Sequence, residues 1–237
     1  MLDQVFDSHS FHIGFDTSFV LIILIALEAV LSADNAIALA SIAQGLDNKQ
    51  LQRRALNFGL VAAYILRITL IITATWVIQF WQFEVLGALY LLWLVFKYFS
   101  SPEDEEHSHS GPKFASLWQA IPMIAVTDLA FSLDSVTTAI AVSEETWLII
   151  AGGTIGVIAL RFLAGLFIRW LDEFTHLEDA GYITVAFVGI RLLMKAISPE
   201  LVPPQWAMFL LIVSVFAWGF SKRTQEDVSS QSEEEPI

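Results

Sequence analysis

Two short polar motifs stand inside long apolar stretches. Glu28–Asn35 reads E-A-V-L-S-A-D-N, and Asp128–Ser135 reads D-L-A-F-S-L-D-S. Aligned, Glu28 matches Asp128, Ser32 matches Ser132, Asp34 matches Asp134 and Asn35 matches Ser135. Every ligand candidate in this set is a carboxylate, amide or hydroxyl oxygen. Such a set suits a hard divalent cation, Mg, Ca or Mn, and argues against copper or a thiophilic metal. The chain has no cysteine, so thiolate metal sites, iron–sulfur clusters, disulfides and a cysteine nucleophile are excluded. Arg67 and Arg161 are the cations nearest in pattern to these acids. Four carboxylates with two arginines leave −4 + 2 = −2, which one divalent ion or two protons would neutralise. Exchange of a metal for protons follows naturally, provided Arg191 does not also point inward. The arginines either fix the bundle as structural ion pairs or take part in gating.

These residues need helices to hold them. The chain is 56% hydrophobic and 16% charged over 237 residues, a composition for a membrane protein. A bilayer core takes about 20 apolar residues in helical form, and such runs fall at Ser18–Ile42, Ala55–Gln79, Glu84–Phe99, Leu117–Val142, Trp147–Trp170, Gly181–Ser198 and Pro204–Phe220. The expected class is therefore all-α and polytopic, with seven transmembrane helices. The third and sixth runs are short enough for a buried or tilted segment. All four motif acids fall near the centres of their spans, where an ionised group is costly and must face protein, water or a partner. On an ideal helix Glu28, Ser32 and Asn35 share one face, while Asp34 lies about 120° around from it. The second motif repeats that offset. Either each helix turns polar groups toward two neighbours, or each is unwound near Ser32 and Ser132 so that the second acid swings into a cavity.

The two halves match beyond the motifs. Gly59 precedes Arg67 by eight residues, as Gly153 precedes Arg161; Gly87 precedes Lys97 by ten, as Gly181 precedes Arg191. Two copies of a three-span unit, residues 18–99 and 117–198, plus a seventh helix in 199–221, describe the chain. An odd number of spans per unit forces the second copy to enter from the opposite side, giving an inverted repeat of the kind that places transporter sites near the bilayer midplane. Small residues around the first motif, Ala26, Ala29, Ser32, Ala33, Ala36 and Ala40, allow close helix approach.

Basic loop residues set the expected orientation. Lys49, Arg53, Arg54, Lys97, Lys113, Arg169, Lys222 and Arg223 fall on one side, and only Lys195 on the other. The N-terminal segment 1–17 is then extracytoplasmic and the C-terminus cytoplasmic. Residues 100–116 read as an acidic, histidine-containing cytoplasmic loop, and 222–237 as an acidic tail, both with the composition of disordered segments. His107 and His109 beside four acids either collect metal or belong to a solvated linker. The net charge of −13 leaves no basic surface for nucleic acid. Of the 25 acids, 21 sit in tails, loops or span ends, so the low charge by itself does not imply a cationic substrate.

The motif at Glu28–Ala36, its partner at Asp128–Ser135 and the histidine-bearing loop between them resemble the TerC family of integral membrane proteins over about Ser18 to Phe220. The resemblance implies a relation to the LysE superfamily of exporters, with members linked to manganese efflux, to supplying metal to exported proteins and, in plants, to thylakoid membrane assembly. It assigns ion binding to Glu28, Asp34, Asn35, Asp128, Asp134 and Ser135, with Ser32 and Ser132 beside them. The expected function is export of a divalent cation, Mn2+ favoured, from the cytoplasm across a bacterial inner membrane, or a thylakoid or other organellar one. No cofactor is required beyond the transported or bound metal. The competing expectation is a membrane assembly or stress-resistance factor that binds metal without transport and engages membrane-protein partners through the acidic loop and tail. An intramembrane enzyme is disfavoured, because neither motif brings a nucleophile or substrate pocket.

Overall fold

The computed structural model describes residues 15–100, 114, 116–143 and 145–223. Expectations for the N-terminal segment, for most of the histidine-bearing loop and for the acidic tail beyond Arg223 lie outside the described residues. Seven α-helices account for nearly all of the rest: α1 (Phe15–Gln44), α2 (Lys49–Val77), α3 (Trp81–Phe99), α4 (Leu117–Val142), α5 (Thr146–Glu173), α6 (Leu177–Ile197) and α7 (Gln205–Gly219). A 3-10 turn at Pro199–Leu201 separates the last two. Among the described residues there is no strand, only an isolated bridge between Phe174 and Arg223.

Several helices outrun their apolar runs. α2 begins at Lys49, six residues before the run at Ala55, because Lys, Gln, Leu and Arg are all good helix formers and Asn48 caps the backbone N–H of Gln50 at 2.7 Å. Among the described residues, helices α2 to α6 are the five long and apolar enough to cross a membrane. The outward surface fits that solvent. Ile65, Ile72, Leu86, Phe96, Phe162 and Phe209 are exposed large apolar side chains. Thr69, Thr73 and Thr154 turn their hydroxyls back to carbonyls of their own helices, so no polar group is left bare toward lipid at these positions. Tryptophans gather at helix ends: Trp76, Trp81, Trp147 and Trp206 at one end of the bundle, Trp118, Trp170 and Trp218 at the other, as at the two interfaces of a bilayer.

The halves interlock. The most extensive pairings are α1 with α5, α2 with α4 and α3 with α6, so each helix of the first half packs chiefly on the second. Helices α1 and α5 run parallel, since Leu24 meets Gly152, Glu28 meets Gly156, and the Gln44 amide donates to Ile168 O and Asp172 Oδ1 at 3.1 Å. Helices α2 and α4 also run parallel, with Gly59 against Ile124 and Arg67 against Asp128. Helices α3 and α6 run antiparallel: Glu84 pairs with Lys195 near one end, and Tyr98 stacks on Tyr182 at the other with centroids 3.7 Å apart. Seven of the eight basic residues expected on one side lie at one end of the bundle, the end of the α1–α2 turn; Lys113 lies outside the described residues.

Packing is uneven along the bundle axis. Near the α1–α2 turn a large core joins Ile37, Leu39, Leu56, Ile124, Leu160 and Phe167 with many neighbours, most of them fully buried. A smaller core of Leu24, Leu70, Leu148 and Ile149 occupies the opposite end.

Candidate functional site

The two motifs meet at mid-bundle through one arginine. Arg67, on α2, is 1% exposed. Its Nη1 donates to Glu28 Oε1 on α1, and its Nη2 donates to Asp128 Oδ1 on α4 at 3.0 Å. Glu28 is 7% exposed and Asp128 fully buried. Ser132 Oγ donates to the Asp128 carbonyl at 2.7 Å and lies 3.3 Å from Asp128 Oδ2. Ser135 is buried one turn on. Ser32 and Asn35 are buried on the face of α1 that carries Glu28. Among the described residues Ser32 Oγ and Arg67 Nε are buried without a hydrogen-bond partner. Unmade bonds at buried polar atoms are costly, so both mark a place where a further ligand would be favourable.

Glycine makes room for this bridge. A Cβ on Gly156 of α5 would overlap Glu28 Cγ and come within 3.0 Å of its Cδ and Oε1, so the acid's side chain lies directly on the glycine backbone. Beside it a cavity of about 10 Å³, enough for about one water, is lined by Leu24, Glu28, Arg67, Ser135, Ala139 and Gly153. The cavity lies toward the end of the bundle where α1 begins. A second one, about 20 Å³, lies at the same end between Glu84, Leu133 and Thr137, and Val136 borders both.

Asp134 is held elsewhere. Its Oδ2 accepts from Arg191 Nη1 and its Oδ1 lies 3.2 Å from Lys195 Nζ, which is also 3.2 Å from Glu84. Helix α4 therefore turns Asp128 toward α2 and Asp134 toward α6, about 120° apart at roughly 100° per residue. Both motif helices are continuous through Ser32 and Ser132, so of the two arrangements left open by the sequence, the unwound one is not adopted. The side chain of Asp34 lies outside the described residues. Arg161 turns to Asn57, its Nε donating to Oδ1, away from the acids.

The charge count changes accordingly. Arg191 does point inward, and Lys195 and Glu84 join it. Among the described side chains, four acids (Glu28, Asp128, Asp134, Glu84) and three bases (Arg67, Arg191, Lys195) give −4 + 3 = −1. The sequence count of −2 took in Asp34 and Arg161 in place of Glu84, Arg191 and Lys195. No group of three or more histidines, aspartates or glutamates is gathered for a metal among the described residues. The donor chemistry suits a hard cation, but a guanidinium holds two of the acids.

Sequence reasoning placed Lys195 outside, left the direction of Arg191 open and passed over Glu84. A signal was present: Glu84 precedes Gly87 by three residues, as Glu178 precedes Gly181. Glu178 is likewise drawn inward, accepting from Ser41 Oγ at 2.7 Å, while the Tyr98 hydroxyl donates to Asp179 at 2.8 Å.

The family model described as integral membrane protein TerC family matches residues 15–226. The chain is 36% identical to uncharacterized membrane protein YceF of Bacillus subtilis, over 82% of this chain and 77% of that one. It is 26% identical to UPF0053 inner membrane protein YgdQ of Escherichia coli K12, over 81% and 86%. A third relative, thylakoid membrane protein TERC of Arabidopsis thaliana, is 24% identical over 60% of this chain and 45% of its own length. No solved structure matches.

Proposed function

Because the chain belongs to the TerC family of integral membrane proteins, we propose that it exports a divalent metal cation, Mn2+ before Mg2+ or Ca2+, through the site between its two motifs, in exchange for protons. The observation that carries this reading is the buried Glu28–Arg67–Asp128 bridge, which joins an acid from each half at mid-bundle beside a small cavity and an unpartnered Ser32 hydroxyl. Buried intramembrane charges mark ion pathways as a rule. In this scheme Arg67 is the placeholder cation of the empty carrier. The bridge alone carries −2 + 1 = −1; an arriving divalent ion displaces the guanidinium and takes oxygens from Glu28, Asp128, Ser32 and Asn35. Once the ion has left, protons or Arg67 neutralise the acids. No cofactor or enzymatic step is needed.

Seven spans in two inverted repeats complete the proposal. It is supported by the exchange pattern of the pairings, in which swapping the halves turns α1·α5 into α4·α2 and leaves α3·α6 unchanged. The chain directions described above support it too: α1 runs with α5, and α3 against α6. Basic residues at the α1–α2 end favour that end as cytoplasmic and the N-terminus as outside. The name of the Escherichia coli relative, an inner membrane protein, favours that membrane.

One observation favours the second reading, a membrane assembly or stress factor: Arg67 bridges the two acids through one oxygen of each, as a purely structural pair would. Reconstituted protein decides. Glu28→Gln should abolish Mn2+ flux into proteoliposomes while the protein remains folded, and deletion of residues 102–111 and 224–237 should leave flux intact. Undiminished flux in Glu28→Gln refutes export through this site.

A further inference from the structure

The sequence is nearly two-fold in its polar positions, yet the structure treats matched positions differently. Arg67 is buried between Glu28 and Asp128, while its match Arg161 is half-buried and bonded to Asn57. Ala139 lines the cavity; its match Leu39 is fully buried in the large core at the other end. Val136 borders the cavity, and its match Ala36 is again fully buried. An asymmetric structure built on a symmetric pattern has a counterpart in which the halves exchange roles.

The backbone already stands close to that symmetry. Leu24 meets Gly152 as its match Ile124 meets Gly59, and Gly153 lies beside Arg67 while Asn57, two residues from Gly59, lies beside Arg161. Gly156 sits at the level of Glu28, and its match on α2 is Ala62. Arg67 lies five residues beyond Ala62 toward one end, and Arg161 five beyond Gly156 toward the other. Each is about 7.5 Å of helix from the acids, a separation an extended arginine side chain can span. The two arginines thus flank one pair of carboxylates from opposite ends.

We infer that Arg67 and Arg161 alternate as the clamp on Glu28 and Asp128, and that the state with Arg161 engaged closes the present cavity and opens a matching one past Leu39 and Ala36 toward the α1–α2 turn. The exchange gives the carrier two occluding cations, one for each direction of access. It rests on the inverted-repeat export reading and adds to it the device that selects the open side.

The absence of native cysteine makes the test clean. Single Leu39→Cys and Ala139→Cys variants in sealed vesicles are treated, without metal, with a membrane-impermeant thiol reagent from either face. Ala139→Cys should react only from the face where α1 begins, and Leu39→Cys, more slowly, only from the other. Adding Arg67→Gln should raise Leu39→Cys labelling several-fold and lower that of Ala139→Cys. Adding Arg161→Gln should do the opposite, with Arg161→Lys restoring the original ratio. Because Arg161 is half-buried, its variants test the exchange even where Arg67→Gln does not fold. Arg161→Gln leaving both rates unchanged, or raising both as general loosening would, overturns the inference. Since labelling needs no metal, loss of Mn2+ flux with the opposed pattern intact would count against the cargo and support the exchange.

Discussion

Two glycines one turn apart on α5 should respond in opposite ways to the same substitution. Alanine in place of glycine in a helix gains about 1 kcal/mol from propensity. At Gly153 the new methyl meets Arg67 Cδ and Ile71 Cδ1 at 3.7 Å, ordinary contact distances, so Gly153→Ala should be net stabilising by about 0.5–1 kcal/mol. At Gly156 the methyl overlaps Glu28, and that side chain cannot simply swing aside because Arg67 holds it. Overpacking costs about 1–3 kcal/mol, and disturbing a hydrogen bond between charged groups about 1.5–3 kcal/mol. After subtracting the propensity gain, Gly156→Ala should lose about 1.5–5 kcal/mol. Denaturant titration of both variants purified in detergent measures the difference directly, with Mn2+ flux measured on the same preparations. Gly156→Ala as stable as the parent would refute the placement of Glu28 against α5, and with it the bridge to Arg67.

Two other perturbations probe the remaining ion pairs. Asp134→Asn and Lys195→Met, alone and together, should show a coupling of about 1–3 kcal/mol in a double-mutant cycle, because Lys195 lies 3.2 Å from Asp134 in a part-buried network; additive losses would show that the network carries no coupling. Lys49→Ala, by contrast, removes a pair whose side chains are 81% and 50% exposed. Its effect on the unfolding midpoint should correspond to no more than about 0.5 kcal/mol, and a larger loss would mean that Lys49 has a second role.

The sequence revealed which residues matter more readily than which of them touch. Glu28 and Asp128 were legible because a carboxylate inside an apolar run has few tolerable explanations, and matched spacing made the pair stand out. Helix positions were legible for the same reason, their ends less so: α2 extends six residues beyond its apolar run because helix propensity continues past the point where hydropathy stops. Which arginine reaches the acids was not legible. Arg67 and Arg161 occupy equal positions in the pattern, and only the folded structure, which sets Arg67 between Glu28 and Asp128 and Arg161 on Asn57, makes them different. Asp134's partners were missed because Arg191 and Lys195 lie toward the end of α6, where long basic side chains ordinarily snorkel outward, whereas here Glu84 at the start of α3 completes a network that draws them in.

The interlocking of the halves also sets a timetable for synthesis. Glu28 is separated from Arg67 by 39 residues and faces Gly156 only once the first part of α5 has been made. At roughly 5–20 residues per second, the acid of α1 waits about 2–8 seconds for its counter-charge, and about 6–26 seconds for the helix surface against which it packs. Neither half can finish its own core during that interval, because the partners of α1, α2 and α3 all lie downstream. A nascent chain stalled before α5 would have the counter-charge of Glu28 but not the helix on which α1 packs, making it a natural substrate for membrane quality control. Separately expressed halves should be unstable alone and recover only when they are made together.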